Sequence, residues 1–149
     1  MLVHRSGIDA GETVFLMQTL RDQLGQHVFP VHRLDKPTSG LVMFALNSPT
    51  ARALSQLFEQ GEVQKIYTAF VRGHTPQTLN IDHPLRDEVD SQGRKTKEGT
   101  VREAATELRT LTSWTVPEPV DRYPEARYSQ VELRPQTGRY RQLRRHMKH

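Results

Sequence analysis

The chain is organised around one stretch, Val31-His-Arg-Leu-Asp-Lys-Pro-Thr-Ser-Gly40. A proline and a glycine near its end are typical of a loop. Its single carboxylate, Asp35, lies among the side chains of His32, Arg33 and Lys36, and cationic neighbours favour the ionised form of a carboxylic acid. Chemically active residues are commonly held on loops by a rigid scaffold. Asp35 is therefore a candidate for chemistry, and the alternative is a solvated turn in which it caps a backbone N–H.

Helices are predicted on both sides of this loop. Glu12–Leu24 carries apolar residues at spacings of three and four, which is typical of an amphipathic helix. A second helix is marked by Ser48 as its N-cap, Pro49 as its first residue and Gly61 as its end. Between the loop and this helix, the apolar run Leu41–Leu46 has the length of a strand.

Strands dominate the remainder of the chain. Gln64–Gly73 alternates, with Tyr67 on one face and its neighbours on the other. Ala105–Trp114 and Tyr128–Arg134 are further predicted strands, whereas His74–Glu103 is predicted to be a long polar loop, either a solvated insertion or a basic arm on RNA. The predicted fold class is α+β, with a mixed, largely antiparallel β-sheet and flanking helices.

Charge and composition limit the classes of function. The 149 residues fit one domain and contain 21 Lys and Arg against 17 Asp and Glu, with basic residues concentrated from Arg122 to His149. That clustering suits contacts with a phosphate backbone. The absence of cysteine excludes disulfides, thiol catalysis and Cys-ligated zinc, and fits a cytoplasmic protein. His146 and His149 lack a third ligand at a sensible spacing, so we expect no metal site.

Three segments carry a resemblance to a known family. The loop from His32 to Gly40 resembles the HRLDxxTSG signature of the RluA-type pseudouridine synthases. Lys65-Ile-Tyr-Thr-Ala69 is similar to the KxYxA strand motif of that family, and Thr137-Gly-Arg-Tyr-Arg-Gln-Leu-Arg-Arg-His146 is similar to its TGRxHQLRxH segment. Arg141 stands where the last pattern has His. Because the order and spacing of all three fit, the chain is identified as a member of this family.

The resemblance implies an activity and a set of site residues. The activity is isomerisation of a uridine to pseudouridine in tRNA, at position 65 in the acceptor/T-stem region, without cofactor or metal. By resemblance Asp35 is the catalytic nucleophile, Tyr67 contacts the target base and Arg144 pairs with Asp35. Arg33 takes the position that the flipped base vacates. The other residues assigned to RNA contact are His32, Thr38, Lys65, Arg139 and Gln142.

The same resemblance predicts how much of the family's domain is present. The family's catalytic domain extends past both ends of this sequence, so residues 1–149 are expected to be a partial catalytic domain, monomeric, without an S4 or other accessory domain, and with weak or no turnover. Three alternatives stay open at this point. They are a structured-RNA-binding fragment that cannot turn over, a pseudouridine synthase acting on rRNA, and a nuclease or glycosidase using Asp35. The last has no second well-placed carboxylate or metal cluster in its favour.

Overall fold

The structure, a computed structural model, describes Val3, residues 13–88 and residues 98–148. The chain divides into two compact units, Met1–Val63 and Gln64–His149. Within the described ranges, no helix is both long enough and apolar enough to cross a membrane. The elements are, in chain order, α1 (Leu16–Leu24), β1 (Phe29–Pro30), β2 (Phe44–Ala45), α2 (Ser48–Gln60), β3 (Tyr67–Arg72), β4 (Thr78–Asp82), β5 (Leu85–Arg86), β6 (Val101–Arg102), β7 (Ala105–Val116), β8 (Ala126–Pro135) and α3 (Gln142–His146).

The first unit packs two helices with one short antiparallel pair, β1 with β2. Phe15, Val28 and Ala45 are its buried apolar residues. The apolar run 41–46 was predicted as a strand, but only its Phe44 and Ala45 pair. The ladder ends there because the N–H of Met43, which would donate to Val31 if the ladder continued, donates to the ring of His32 instead.

Both predicted helices of this unit exist with shifted starts. α1 begins at Leu16, not at Glu12, which lies outside the described residues, and residues 13–15 are not helical. The N-cap of α2 is Asn47 rather than Ser48, because the Asn47 side chain accepts a hydrogen bond from the N–H of Thr50 at 2.9 Å.

The second unit is built on a four-stranded antiparallel sheet with the order β3-β8-β7-β4. Its alternation follows the sequence prediction for β3, whose odd-numbered residues are half-buried and whose even-numbered residues are exposed. One face carries the core, formed by Leu108, Val131 and Leu133, and α3 packs on that face through Leu143 and Met147. The α+β fold class with largely antiparallel pairing is confirmed.

The prediction of a single loop over residues 74–103 was wrong. Three short strands, β4, β5 and β6, lie in that range, while residues 89–97 of the predicted arm lie outside the described residues. The sequence of β4, Thr-Leu-Asn-Ile-Asp, alternates polar and apolar residues over only five positions, and β4 lies at the edge of the sheet. Its pairing with β7 therefore depends on tertiary contact as well as on this short local pattern.

Candidate active site

The Asp35 loop connects β1 to β2, which pair with each other at its base. Beyond that pair, the N–H of Val31 donates to the carbonyl oxygen of Met43 at 3.2 Å and closes the base of the loop. At its tip the N–H of Thr38 donates to the carbonyl oxygen of Asp35 at 2.8 Å. Gly40 follows at φ +141°, a conformation that residues with a Cβ rarely adopt. Asp35 is thus half-buried on a turn that is fixed at both ends.

His32 fastens the same loop to the rest of the unit. Its Nε2 accepts a hydrogen bond from the N–H of Met43 at 3.1 Å, and its ring stacks on Phe58 of α2, with centroids 4.8 Å apart. A ring nitrogen that accepts must be unprotonated, so this geometry requires the neutral imidazole. His32 therefore has a structural contact on each side, three residues before Asp35.

The predicted RNA-contact residues of this loop differ in exposure. Arg33 is exposed, whereas Thr38 is half-buried and contributes its backbone N–H to the turn. Arg33 is the predicted contact whose side chain is open to a macromolecule without rearrangement of the loop. The structure therefore gathers His32, Arg33, Asp35 and Thr38 into one loop of the first unit.

In the second unit, Tyr67 is the first residue of β3, and Lys65 lies two residues before that strand. Tyr67 pairs with Leu133 of β8 and packs against the apolar core, half-buried. Burial also lowers the pKa of Lys65 from its ordinary value of 10.5. The ring of Tyr67 therefore lies on the same sheet face as α3, with a role in packing alongside any role in chemistry.

The basic residues around α3 have different environments. Arg144 is exposed, and Arg145 forms an ion pair with Glu88 at 3.4 Å. The guanidinium of Arg139 donates through Nε to the carbonyl oxygen of Glu103 at 2.9 Å. Arg141 adopts the left-handed conformation, φ +51°, which costs a non-glycine residue about 1–2 kcal/mol.

Comparison with known proteins assigns the chain to a family over its whole given length. The family model for RNA pseudouridylate synthase matches residues 1–149. The chain belongs to this family. It is 51% identical to tRNA pseudouridine synthase C from Haemophilus ducreyi over 150 residues, covering 100% of this chain and 62% of that protein. It is also 51% identical to the proteins of the same name from Haemophilus influenzae, of which it covers 63%, and from Pectobacterium carotovorum subsp. carotovorum, of which it covers 40%. The chain thus spans less than two thirds of the length of these relatives.

Solved structures of the family agree with the fold. The human RNA pseudouridylate synthase domain containing 1 superposes with a TM-score of 0.69 at 27% identity, covering 97% of this chain and 62% of that one. The human domain containing 4 superposes with a TM-score of 0.62 at 27% identity, covering 89% and 51%. The family resemblance predicted from the three motifs is confirmed.

The family segment 137–146 contains buried residues as well as exposed ones. Gln142 is 4% exposed, and its amide oxygen accepts from the hydroxyl of Thr137 at 2.7 Å and from the N–H of Arg139 at 3.0 Å. Its amide nitrogen donates to the carbonyl oxygen of Ala105 and to the hydroxyl of Thr106. We therefore correct the assignment of Gln142 to RNA contact, since all its hydrogen-bonding capacity is used inside the protein.

Several arginines of the second unit form ion pairs with glutamates of the same unit. Arg109 and Arg134 both donate to the carboxylate of Glu132, at 3.2 and 3.0 Å, and these hydrogen bonds lower the pKa of Glu132. Arg127 pairs in the same way with Glu125 at 2.7 Å. Part of the basic C-terminal cluster is thus neutralised within the protein.

Two residues that contact predicted site residues, one in each unit, had been given no role in a site by the sequence analysis. Thr106 is buried in β7 between Gln142 and His146, and Phe58 supplies the surface on which His32 stacks. Neither belongs to a motif, because each acts through a tertiary contact. Across the described part of the chain, no group of three or more His, Cys, Asp or Glu residues could hold a metal ion.

Proposed function

We propose that this chain takes part in the isomerisation of a specific uridine to pseudouridine in tRNA, at position 65 of the acceptor/T-stem region. The proposal is supported by 51% identity to proteins named tRNA pseudouridine synthase C. The observation that carries it is the fixed position of Asp35. This residue is half-buried on a loop whose ends are joined by the β1–β2 pair, and His32 of the same loop accepts a hydrogen bond from Met43. A group that attacks or abstracts a proton must be fixed in this way to act efficiently.

The chemistry assigns Asp35 one step. The reaction breaks the N1–C1′ bond of uridine, rotates the uracil and joins C5 to C1′, while N1 gains a proton and C5 loses one. No electrons are gained or lost overall. The Asp35 carboxylate assists either by attacking C1′ or by removing the C2′ proton, and both routes fit a half-buried carboxylate.

The substrate must be opened before it reaches Asp35. A paired uridine in a stem is inaccessible, so the nucleotide is flipped out at an energetic cost of a few kcal/mol. Arg33, exposed two residues before Asp35, is proposed to fill the vacated position, because a flat guanidinium stacks well on bases. Tyr67 is proposed to contact the flipped uracil, and Arg144 to act on the Asp35 carboxylate or on the RNA.

Several finer points stay predictions. They are the choice of tRNA over rRNA, the cytoplasmic location where tRNA is processed, the monomeric state, and the assignment of residues 1–149 to one partial catalytic domain.

The experiment measures tritium release from tRNA carrying C5-labelled uridine, together with tRNA affinity by filter binding. Any tritium release by the wild-type chain is expected to be slow, in line with the weak or absent turnover predicted for residues 1–149, and to leave the mass of the unlabelled RNA unchanged. Asp35→Asn is expected to lower the rate by about 10²-fold to 10⁴-fold or more while affinity stays within a few fold. Asp22→Asn is the matched control, because Asp22 is an exposed carboxylate of the same unit, paired with Arg21.

The outcomes separate the alternatives. Binding without tritium release in the wild-type chain would support the RNA-binding alternative, and strand scission would support a nuclease. Faster release from labelled rRNA than from tRNA would favour the rRNA alternative. Full turnover by Asp35→Asn would overturn the assignment of Asp35.

A further inference from the structure

One buried side chain, Thr106, joins the two ends of α3. Its hydroxyl oxygen lies 3.0 Å from Nε2 of Gln142 and 3.0 Å from Nδ1 of His146. The three residues are 2%, 4% and 3% exposed, in the order Thr106, Gln142, His146. We call these three residues the Thr106 network. Since Thr106 belongs to β7, the network ties a strand of the sheet to a helix that begins thirty-six residues later.

Each hydrogen bond in the Thr106 network has a defined direction. The amide nitrogen of Gln142 can only donate, so the Thr106 hydroxyl accepts from it. Nε2 of His146 lies 3.1 Å from the carbonyl oxygen of His83, which can only accept, so Nε2 carries the ring proton. In the neutral ring Nδ1 then accepts, and the Thr106 hydroxyl donates to it. The Thr106 hydroxyl thus accepts from Gln142, the first residue of α3, and donates to His146, its last residue.

The helix depends on these contacts because it is short. α3 has five residues, and isolated helices of that length are unstable in water. Two pairs of residues at i and i+4 hold it against the sheet. Leu143 and Met147 pack on the apolar core, and Gln142 and His146 bond to Thr106.

Arg144 projects from the other side of the same helix. It lies two residues from both Gln142 and His146, which is roughly 200° around an α-helix from each. It is exposed, whereas those two are buried. The direction of the Arg144 side chain is therefore set by how firmly the buried side of α3 is held.

We propose that Thr106 is the positioning residue for Arg144, a role that rests on the proposed function, in which Arg144 takes part in the reaction. Removing the Thr106 hydroxyl leaves the Gln142 donor without this acceptor and Nδ1 of His146 without its donor. Buried polar groups that lose their partners are rebonded by movement or by water. Either response shifts the position of α3 against the sheet and so displaces the guanidinium of Arg144.

The test uses an isosteric variant and a conservative one. Thr106→Val removes the hydroxyl at nearly constant shape, and Thr106→Ser keeps it. Thr110→Val is the matched control, because Thr110 is another buried threonine of β7, whose hydroxyl bonds to Thr75 and to the carbonyl oxygen of Pro76 instead of α3. Each is measured for kcat, KM and tRNA affinity, alone and combined with Arg144→Ala.

Thr106→Val is expected to lower kcat by about tenfold or more, because a displaced catalytic group loses rate steeply. Thr106→Ser is expected to stay within about threefold of wild type, and Thr110→Val likewise. In the Arg144→Ala background, Thr106→Val is expected to add less than about a twofold loss, since the residue that it positions is already absent. Nitrogen-15 spectra of the His146 ring should show the Nε2–H tautomer in wild type and in Thr106→Ser, and a changed Nδ1 shift in Thr106→Val.

The results that would overturn the positioning role of Thr106 differ from those that would overturn the proposed function. An unchanged kcat in Thr106→Val, with a large loss in Arg144→Ala, would overturn the positioning role alone. Equal losses from Thr106→Val in both backgrounds would also overturn it, since they would show a general structural effect. No effect of Arg144→Ala on rate or affinity would overturn the role of Arg144 in the proposed function. If the wild-type chain binds tRNA without turnover, the proposed activity fails, and the same cycle is scored by affinity, where additive losses would overturn the positioning role.

Discussion

The imidazole of His32 stacks on the ring of Phe58, with ring centroids 4.8 Å apart and planes inclined by 25°. The same imidazole accepts a hydrogen bond from the N–H of Met43. Two contacts from one side chain thus fix the Asp35 loop to α2 and to the segment that re-enters the unit. The resemblance assigned His32 to RNA contact, and the geometry supplies a second possible role, that of holding Asp35 in place.

These two roles predict different kinetics. His32→Ala removes both contacts, and we expect turnover to fall by about tenfold or more with tRNA affinity within a few fold. His32→Phe keeps the stack and loses the acceptor, so it should lie between Ala and wild type. His27→Ala is the matched control, because His27 contacts Phe29 in the same unit outside the loop. A loss of affinity at unchanged kcat would instead support a direct RNA contact.

Tyr67 is predicted to separate packing from chemistry. Tyr67→Phe keeps the ring against the core, so the free energy of unfolding should change by no more than about 1.5 kcal/mol, while turnover falls if the hydroxyl assists proton removal at C5. Tyr67→Ala also loses the ring and should lower the free energy of unfolding by about 1–3 kcal/mol, less than for a fully buried aromatic residue. Urea denaturation and tritium release measure the two effects. Equal turnover in wild type and both variants would make Tyr67 a packing residue.

Lys65 is predicted to trade stability for RNA affinity. Its folded-state pKa is lowered by burial, so the unfolded state binds more protons between that lowered value and 10.5, and stability from this group rises with pH across that window. At neutral pH, therefore, Lys65→Met should be at least as stable as wild type. Its advantage should shrink as pH rises toward 10.5. If Lys65 contacts a phosphate, its loss should reduce the slope of log affinity against log salt by about 0.7–0.9.

Lys148→Met is the control for this prediction, because Lys148 is an exposed lysine of the same unit. Its stability should match wild type across the same pH range. A Lys65→Met protein that unfolds at lower temperature than wild type at pH 7 would show that the ammonium group makes a stabilising contact that outweighs its desolvation.

The strongest local patterns were predictable from sequence. The alternation around Tyr67 gave β3 and its two faces, and the proline and glycine around α2 gave that helix to within one residue at its start. Tertiary pairing decided the rest. β4 pairs with β7 at the sheet edge although its alternating pattern covers only five residues. The apolar run at 41–46 pairs little because the N–H of Met43 donates to the ring of His32 instead of continuing the ladder with β1.

In the candidate site too, tertiary contacts could not be predicted from local sequence patterns. The family resemblance assigned roles to Asp35 and Arg144, and these stay predictions, yet the motifs could not tell which of their residues face solvent. Gln142 is as prominent in the pattern as Arg144, but it is buried with every hydrogen bond satisfied inside the protein. Thr106, which receives that amide, belongs to no motif, since its contact depends on the seating of α3 against β7.

Arg144 gives the prediction that tests the C-terminal motif directly. Because its side chain is exposed, Arg144→Ala should change the free energy of unfolding by no more than about 0.5 kcal/mol. Turnover should fall by about 10²-fold if the guanidinium acts on the Asp35 carboxylate or on developing charge. Arg144→Lys should recover only part of this loss, because an ammonium keeps the charge without the planar bidentate fork.

Arg145→Ala is the control, since Arg145 is the next residue of α3 and pairs with Glu88. It should keep near-wild-type turnover and change stability by about 1 kcal/mol or less, because its partner Glu88 is exposed and solvent weakens the ion pair. Salt dependence then separates two roles for Arg144. A phosphate contact predicts that Arg144→Ala reduces the slope of log affinity against log salt by about 0.7–0.9, whereas action on Asp35 leaves that slope unchanged and appears in kcat. Wild-type kcat together with a wild-type salt slope in Arg144→Ala would contradict both roles.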